Sequence, residues 1–138
     1  MDLRITEYTG WDEQEILSLY ESVGWTNYTQ NPRMLESAYH NSLKIYAAYA
    51  DKALAGIIRL VGDGFSVVFV QDLLVRPEYQ RQGIGTALLK QALQAYGGVY
   101  QFHLLTDNTE KTVSFYKSLG FVMDTEMGCR AFSRYHAG

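Results

Sequence analysis

The stretch from Val67 to Gln91, VVFVQDLLVRPEYQRQGIGTALLKQ, limits what this chain can fold into more than any other. Val67 to Val75 reads as a buried strand, Arg76-Pro77 as a turn, and Gln80-Arg81-Gln82-Gly83-Ile84-Gly85 as the end of a polar loop. A helix over Thr86 to Tyr96 follows, with Leu88, Leu89, Ala92 and Leu93 on its inner face. The N–H groups of a glycine-containing loop that runs into a helix N-terminus converge on one point, and the helix dipole adds partial positive charge there. Such a stretch is an anion site, suited to a phosphate.

Composition bounds what can be built around it. With 138 residues, 47% of them hydrophobic and 20% charged, the chain suits one globular domain spanning residues 1–138 with a full core. The net charge of −3 argues against nucleic acid as partner, because binding a phosphate backbone needs a basic surface. Cys129, the single cysteine, can form no internal disulfide and has no ligand cluster at metal spacing, so no metal is expected. A lone thiol without a signal peptide points to the cytoplasm, and no apolar run approaches a membrane span.

The remaining elements follow in chain order. LRITEY, Leu3 to Tyr8, alternates like a half-buried strand. Asp12 and Glu15 stand in capping-box spacing ahead of Ile16, Leu19 and Tyr20, and Gly24 stops that helix. Gly24 to Gln30 is a loop carrying Trp25 and Tyr28, after which Asn31-Pro32 opens a second helix. KIYAAYA, LAGIIRLV and FSVVFVQDLLV form an antiparallel meander, whose last strand, long and apolar, is expected at the centre. The helix after the glycine loop leads to VYQFHLLT, which implies a parallel crossover and hence a mixed sheet flanked by about four helices, an α/β class of fold. Asp107 or Thr109 can cap a helix through Leu119, with Gly120 beyond it, and FVMD with CRAFSRY reads as a final hairpin.

By itself the glycine loop is ambiguous. A dinucleotide-binding fingerprint places its first glycine directly after the strand and a third where Leu88 stands, and a P-loop needs Lys and then Ser or Thr after its second glycine. Neither pattern is met, which disfavours a nucleotide-binding oxidoreductase; a helix entry whose glycines merely allow tight packing stays open. The order of elements, Gln80-x-x-Gly83-x-Gly85 and Phe115-Tyr116-Lys117-Ser118-Leu119-Gly120-Phe121 together resemble the GNAT superfamily of acyl-CoA-dependent N-acetyltransferases, over nearly the whole chain. Val70 to Gly85 and TDNTEKTVSFYKSLGF are also similar to plant and bacterial arylalkylamine (serotonin-type) acetyltransferases, a likeness that names no acceptor.

The resemblance implies a GNAT-like fold and a transfer of acetyl from acetyl-CoA to a primary amine. It implies that Gln80, Arg81, Gln82, Gly83, Ile84, Gly85 and Thr86 hold the pyrophosphate of coenzyme A. Leu73, Leu74 and Val75 would pair with the pantetheine arm as an added strand does. The superfamily often has Asn seven residues before the motif tyrosine; Thr109 stands there, and Asn108, one residue earlier, is the candidate contact to coenzyme A. A non-catalytic acyl-CoA-binding module using the same loop is the alternative. A small-molecule amine is the expected acceptor, and a homodimer is in keeping with the family.

The chemistry asks for a base and an acid. An amine of lysine-like pKa is only about one part in a thousand neutral at pH 7, so removing its proton costs about 4 kcal/mol. The leaving thiolate needs an acid with pKa near 10, and the resemblance places Tyr116 in that role, against a plain core aromatic beside Val113. Asp72 interrupts an apolar strand just before the glycine loop, so its carboxylate needs a partner; it is the candidate for orienting or deprotonating the amine, or else a structural hydrogen-bonding residue. A nearby ammonium would lower its pKa and turn it from base to anchor. Gln71 should face away from Asp72 unless a bulge intervenes. His103 is a rival base, Cys129 an unneeded nucleophile, and Trp25 and Tyr28 are candidate walls of the acceptor pocket, because related enzymes use this loop so.

Overall fold

The computed structural model describes residues 1–136. By its internal contacts the chain divides into two compact units, Met1–Leu105 and the segment from Thr106 onward.

The first unit is built on a five-stranded mixed sheet in the order β1 (Leu3–Glu7), β2 (Lys44–Ala50), β3 (Ala53–Gly62), β4 (Val67–Val75), β5 (Gln101–Leu104). Strands β1 to β4 pair antiparallel and β5 joins β4 in parallel, so both the meander and the crossover are present. The central strand is β3, not β4 as its length and apolarity suggested. A strand between two hairpin turns has neighbours along its whole length, whereas the second neighbour of β4 arrives by a crossover and spans only four residues.

Helix α1 (Glu13–Ser22) starts where Asp12 accepts a hydrogen bond from the Glu15 N–H at 3.2 Å. The aromatic loop after it contains one helical turn, α2 (Thr26–Thr29), that the sequence does not signal. Helix α3 (Pro32–His40) begins with Asn31 accepting from the Met34 N–H and proline in its first turn. Ile16, Leu19, Tyr20, Leu35 and Tyr39 of α1 and α3 pack with Ile45, Ala47, Leu54, Ile57 and Leu74 on one face of the sheet. Alternation places Tyr46, Ala48, Ile58 and Leu60, all buried, on the other face. Helix α4 (Ile84–Ala95) runs against β2, β3 and β4 with Ile84, Leu88, Leu89 and Ala92 buried, none of them part of the first cluster. It begins two residues earlier than expected, since Gly83 serves as its N-cap at φ +82°.

One irregularity in β4 positions the site. Arg59 is paired with Asp72 and Leu60 with Val70, leaving Gln71 as the extra residue of a β-bulge. Directly paired residues share a face, so Val70 lies with Leu60 on the α4 side, while Asp72 and Leu74 turn with Arg59 and Ile57 toward α1 and α3. Without the bulge, Asp72 would continue the α4 face of Val68 and Val70.

In the second unit, helix α5 (Glu110–Ser118) is capped by Thr109, which accepts from the Thr112 N–H at 3.3 Å. No strand forms among the described residues after it, so the expected final hairpin is absent. A 3-10 turn over Asp124–Met127 stands where the hairpin would begin: Met123 N–H donates to Glu126, Lys117 pairs with Glu126 at 3.0 Å, and Gly128 closes the turn at φ +78°. These short-range bonds satisfy the backbone locally and compete with strand pairing. Among the described residues no helix is long and apolar enough to cross a membrane.

Gly56 sets the spacing of β3 and β4, because a Cβ built there lies 2.6 Å from the Leu74 carbonyl oxygen. Backbone cannot swing aside, so Gly56→Ala is expected to lower stability by about 1–3 kcal/mol. A urea midpoint equal to that of the wild type would show that the two strands part freely.

Candidate active site

The site starts where β4 loses a neighbour. Strand β5 pairs only with Val67 to Val70, so from Gln71 to Val75 the edge of β4 opposite β3 has no strand beside it among the described residues. Arg76 N–H donates to the Ala55 carbonyl of β3 at 2.8 Å, and alternation therefore turns the backbone of Val75 and Leu73 to the open edge and that of Leu74 to β3. The Val75 carbonyl is taken by Gln80, whose Nε2 donates to it at 2.9 Å. Leu73 N–H and C=O and the Val75 N–H remain for an added strand-like partner.

A 3-10 turn over Pro77–Tyr79 carries the chain from this edge to the glycine loop. Arg81 at φ +64° and Gly83 at φ +82° both take left-handed backbone, which curls the loop onto itself. Among the described residues the N–H groups of Arg81, Gln82, Gly83, Ile84, Gly85 and Thr86 donate to no backbone carbonyl, and no side chain caps α4. A Cβ at Gly83 would meet nothing within 4 Å, so that glycine is present for its backbone conformation and not for tight packing. The side chain of Ile84 is buried and ties the loop to the core. The arrangement offers several unsatisfied donors at the positive end of a twelve-residue helix, the chemistry of a phosphate cradle.

In the second unit the FYKSLGF segment makes a helix end. Gly120 at φ +92° donates to the Lys117 carbonyl and Phe121 to the Tyr116 carbonyl at 3.1 Å, the paired bonds of a Schellman motif. Such a motif favours an apolar contact between the residue after the glycine and the third from the helix end, and here the Phe121 ring stands edge-on to Tyr116 at 5.8 Å. Phe115 packs against the same tyrosine at 4.9 Å. Burial first, then the charge of Asp107, pushes the Tyr116 hydroxyl above the usual tyrosine range, with a hydrogen bond from Thr106 opposing.

Asp72 is 2% exposed, and both of its carboxylate oxygens accept hydrogen bonds. Oδ2 accepts from Arg59 Nε at 2.7 Å and from the Tyr20 hydroxyl at 2.8 Å, while Oδ1 accepts from the Tyr28 hydroxyl at 3.2 Å. Because Tyr20 gives its one proton to Asp72, Tyr39 donates to Tyr20 at 3.1 Å. Arg59 also lies over the Tyr39 ring and reaches Ser42. Burial alone would lower the pKa of Arg59, but the adjacent carboxylate carries it above the ordinary arginine value. Burial, and then Tyr39 and Asp72, push the Tyr20 hydroxyl far up; burial also raises Tyr39.

Three candidates thus come together: Tyr28 touches Asp72, and Trp25 lies 6.4 Å from the Tyr28 ring. The bulge that frees Gln71 from strict alternation brings it within hydrogen-bonding reach of the same Tyr28 hydroxyl. His103 sits on β5, hydrogen-bonded to Gln101 at 3.2 Å, and Asn108 is exposed ahead of the cap Thr109. Cys129 is exposed. Sequence reading missed Arg59, Tyr20 and Tyr39. A signal for Arg59 existed: it interrupts LAGIIRLV as Asp72 interrupts VVFVQDLLV, and two opposite charges in consecutive apolar strands of a meander are natural partners.

Residues 41–123 match the family model for the acetyltransferase (GNAT) domain, more than half of the sequence, and the chain belongs to that family. Its structure is similar to that of a GNAT-family acetyltransferase from Streptococcus pneumoniae, 45% identical, with a TM-score of 0.88 over 99% of this chain and 100% of that one. An uncharacterized N-acetyltransferase of Gracilaria tenuistipitata is 26% identical over 116 residues; the match takes in 81% of this chain and spans 63% of the relative's length. The fold alone is shared with the PaiA N-acetyltransferase of Thermoplasma acidophilum, solved in complex with coenzyme A, at 21% identity and a TM-score of 0.68 over 86% and 89% of the two chains.

Asp72→Ala would leave the Arg59 guanidinium buried and unpaired, at a cost of about 3–5 kcal/mol in unfolding free energy. Replacing both partners by Met and Leu should recover part of that loss. Equal stability of wild type and Asp72→Ala in chemical denaturation would remove the pair from the account of the fold.

Proposed function

We propose that this chain is an N-acetyltransferase that moves acetyl from acetyl-CoA to the primary amine of a small molecule by direct attack. The observation that carries the reading is the continuity of the open β4 edge at Leu73 and Val75 with the unpartnered N–H groups of Arg81 to Thr86. An edge with free backbone groups fits the amide-bearing arm of coenzyme A, and the donors at the start of α4 fit its pyrophosphate. The acyl donor supplies an activated thioester carbonyl. The chain's own residues then have three tasks: to hold the donor along β4, to present the amine, and to return a proton to the leaving sulfur.

Tyr116 is the proposed acid. Its raised pKa keeps the phenol protonated through neutral pH, and the Phe121 and Phe115 rings fix its direction. Trp25, Tyr28 and Asp72 are the proposed acceptor-side residues; Asn108 is a proposed contact to the donor. One observation favours a second reading, a non-catalytic acyl-CoA-binding module: the Asp72 carboxylate is 2% exposed and already accepts from Arg59 and two tyrosines, which places it poorly to take a proton from an amine. On the enzyme reading, an amine that binds as the free base, or loses its proton to water, removes that difficulty.

Free thiol should be released from acetyl-CoA in the presence of at least one member of a panel of arylalkylamines, polyamines and amino acids. Tight acetyl-CoA binding without turnover of any amine would favour the binding module. Tyr116→Phe is expected to lower kcat about a hundredfold with acetyl-CoA affinity unchanged, in line with the usual contribution of a positioned acid. Because burial raises the Tyr116 pKa above the usual tyrosine value, any alkaline loss of kcat due to its ionisation should fall at higher pH than for an ordinary tyrosine. A Tyr116-dependent loss centred below pH 9 would count against the assignment.

A further inference from the structure

We propose that Tyr28, and not Asp72, makes the polar contact to the acceptor amine, and that Arg59 is a positioning residue that fixes Asp72 so that the Tyr28 oxygen faces the amine as a hydrogen-bond acceptor. The inference rests on the acetyltransferase reading and assigns the amine a specific partner within it.

Asp72 has two carboxylate oxygens, and Arg59 Nε and the Tyr20 hydroxyl both occupy Oδ2. Oδ1 is left for Tyr28 alone, at 3.2 Å. An ionised carboxylate only accepts, so the single Tyr28 proton is committed inward; the Gln71 side chain donates to the Tyr28 oxygen, and one lone pair is left for that oxygen to offer outward. An amine or ammonium N–H is the donor that matches it. Asp72 itself is shut off, at 2% exposure, whereas Tyr28 is half-buried with Trp25 beside it. The Tyr28 hydroxyl stands against the bulge at Gln71 and Asp72, and Leu73, the next residue, is where the backbone of β4 turns to its open edge. An amine held by Tyr28 is therefore beside the strand along which the donor is proposed to lie.

Arg59 matters for two reasons. It fixes which carboxylate oxygen is left for Tyr28, and it cancels the charge of Asp72, so the groups that meet here, Tyr20 of α1, Tyr28 of α2, Tyr39 of α3, Arg59 of β3 and Gln71 and Asp72 of β4, hold no net charge. A neutral oxygen flanked by the Trp25 ring suits a compact monoamine with an apolar or aromatic body better than a polycation, which needs uncompensated carboxylates. Burial, and then Asp72, raises the Tyr28 pKa, which keeps the proton in place for this role.

The test is steady-state kinetics with the full chain, acetyl-CoA and the best amine of the panel. Tyr28→Phe is expected to raise the acceptor KM about tenfold, the loss of one hydrogen bond to a charged or strongly polar group, with the KM for acetyl-CoA little changed; the melting temperature falls as well, because Asp72 Oδ1 loses its partner, so the split between the two KM values is the readout. Arg59→Met should raise the acceptor KM likewise, and Arg59→Lys should recover part of it; a purely structural Arg59 would lower the melting temperature without this split between the two substrates. If Arg59→Met does not fold, Tyr28→Phe decides. An acceptor KM within twofold of wild type in Tyr28→Phe overturns this inference alone, while a wild type that turns over no amine overturns it together with the acetyltransferase reading.

Discussion

The ion pair between Arg59 and Asp72 is the interaction on which the first unit depends. Two charges in adjacent strands are taken out of water, and the cost of desolvating them is met only if nearly every lone pair and proton finds a partner. Tyr20, Tyr28, Tyr39 and Ser42 supply those partners from α1, α2, α3 and the turn after α3. The helices are thereby fixed to the sheet by direction as well as by apolar contact. No buried side-chain nitrogen or oxygen among the described residues lacks a partner. The bulge at Gln71 is the geometric condition for all of this, because it alone turns Asp72 to the face that carries the tyrosines.

The same bulge lies next to the point where β4 and β5 part. Up to Val70 the strand is satisfied on both sides; beyond it, β3 is its one neighbouring strand among the described residues. A protein normally blunts such an edge or fills it. Here the edge runs into a 3-10 turn and then into a loop whose donors are equally unpaired. The left-handed backbone at Arg81 and Gly83 is strained or costly in conformational entropy, and open space around Gly83 means that packing does not demand it. An edge and a cradle, continuous along one chain segment, are what a long amide-bearing ligand ending in phosphates requires. The GNAT family to which the chain belongs gives that combination its meaning.

In the second unit a short motif does comparable work at smaller scale. Gly120 permits the left-handed turn, the turn places Phe121, and Phe121 packs on Tyr116. The tyrosine is thus held by the stop signal of its own helix. This gives the FYKSLGF segment a physical content independent of any resemblance: the glycine and the second phenylalanine are there to end α5 in a way that fixes the ring.

The parts legible in the sequence were those encoded by near neighbours. Asp12, Asn31 and Thr109 mark helix starts, Gly120 marks a stop, alternation marks strands, and Gln80-x-x-Gly83-x-Gly85 marks the loop. Each depends on residues a few positions apart, so the sequence by itself determined the order of the main elements through α5, the crossover, the family and the place of the glycine loop. Local pattern also misled: FVMD and CRAFSRY alternate like strands, but short-range capping by Glu126 and Gly128 holds a turn. What only the tertiary structure decided about Val67 to Gln91 is its two-sidedness: which face Asp72 takes, which oxygen remains for Tyr28, and where β5 leaves the edge open. Those outcomes rest on the register between strands and on partners from Tyr20 to Arg59, and pairing at such separations is set by the packing of the whole unit, which no local spacing records.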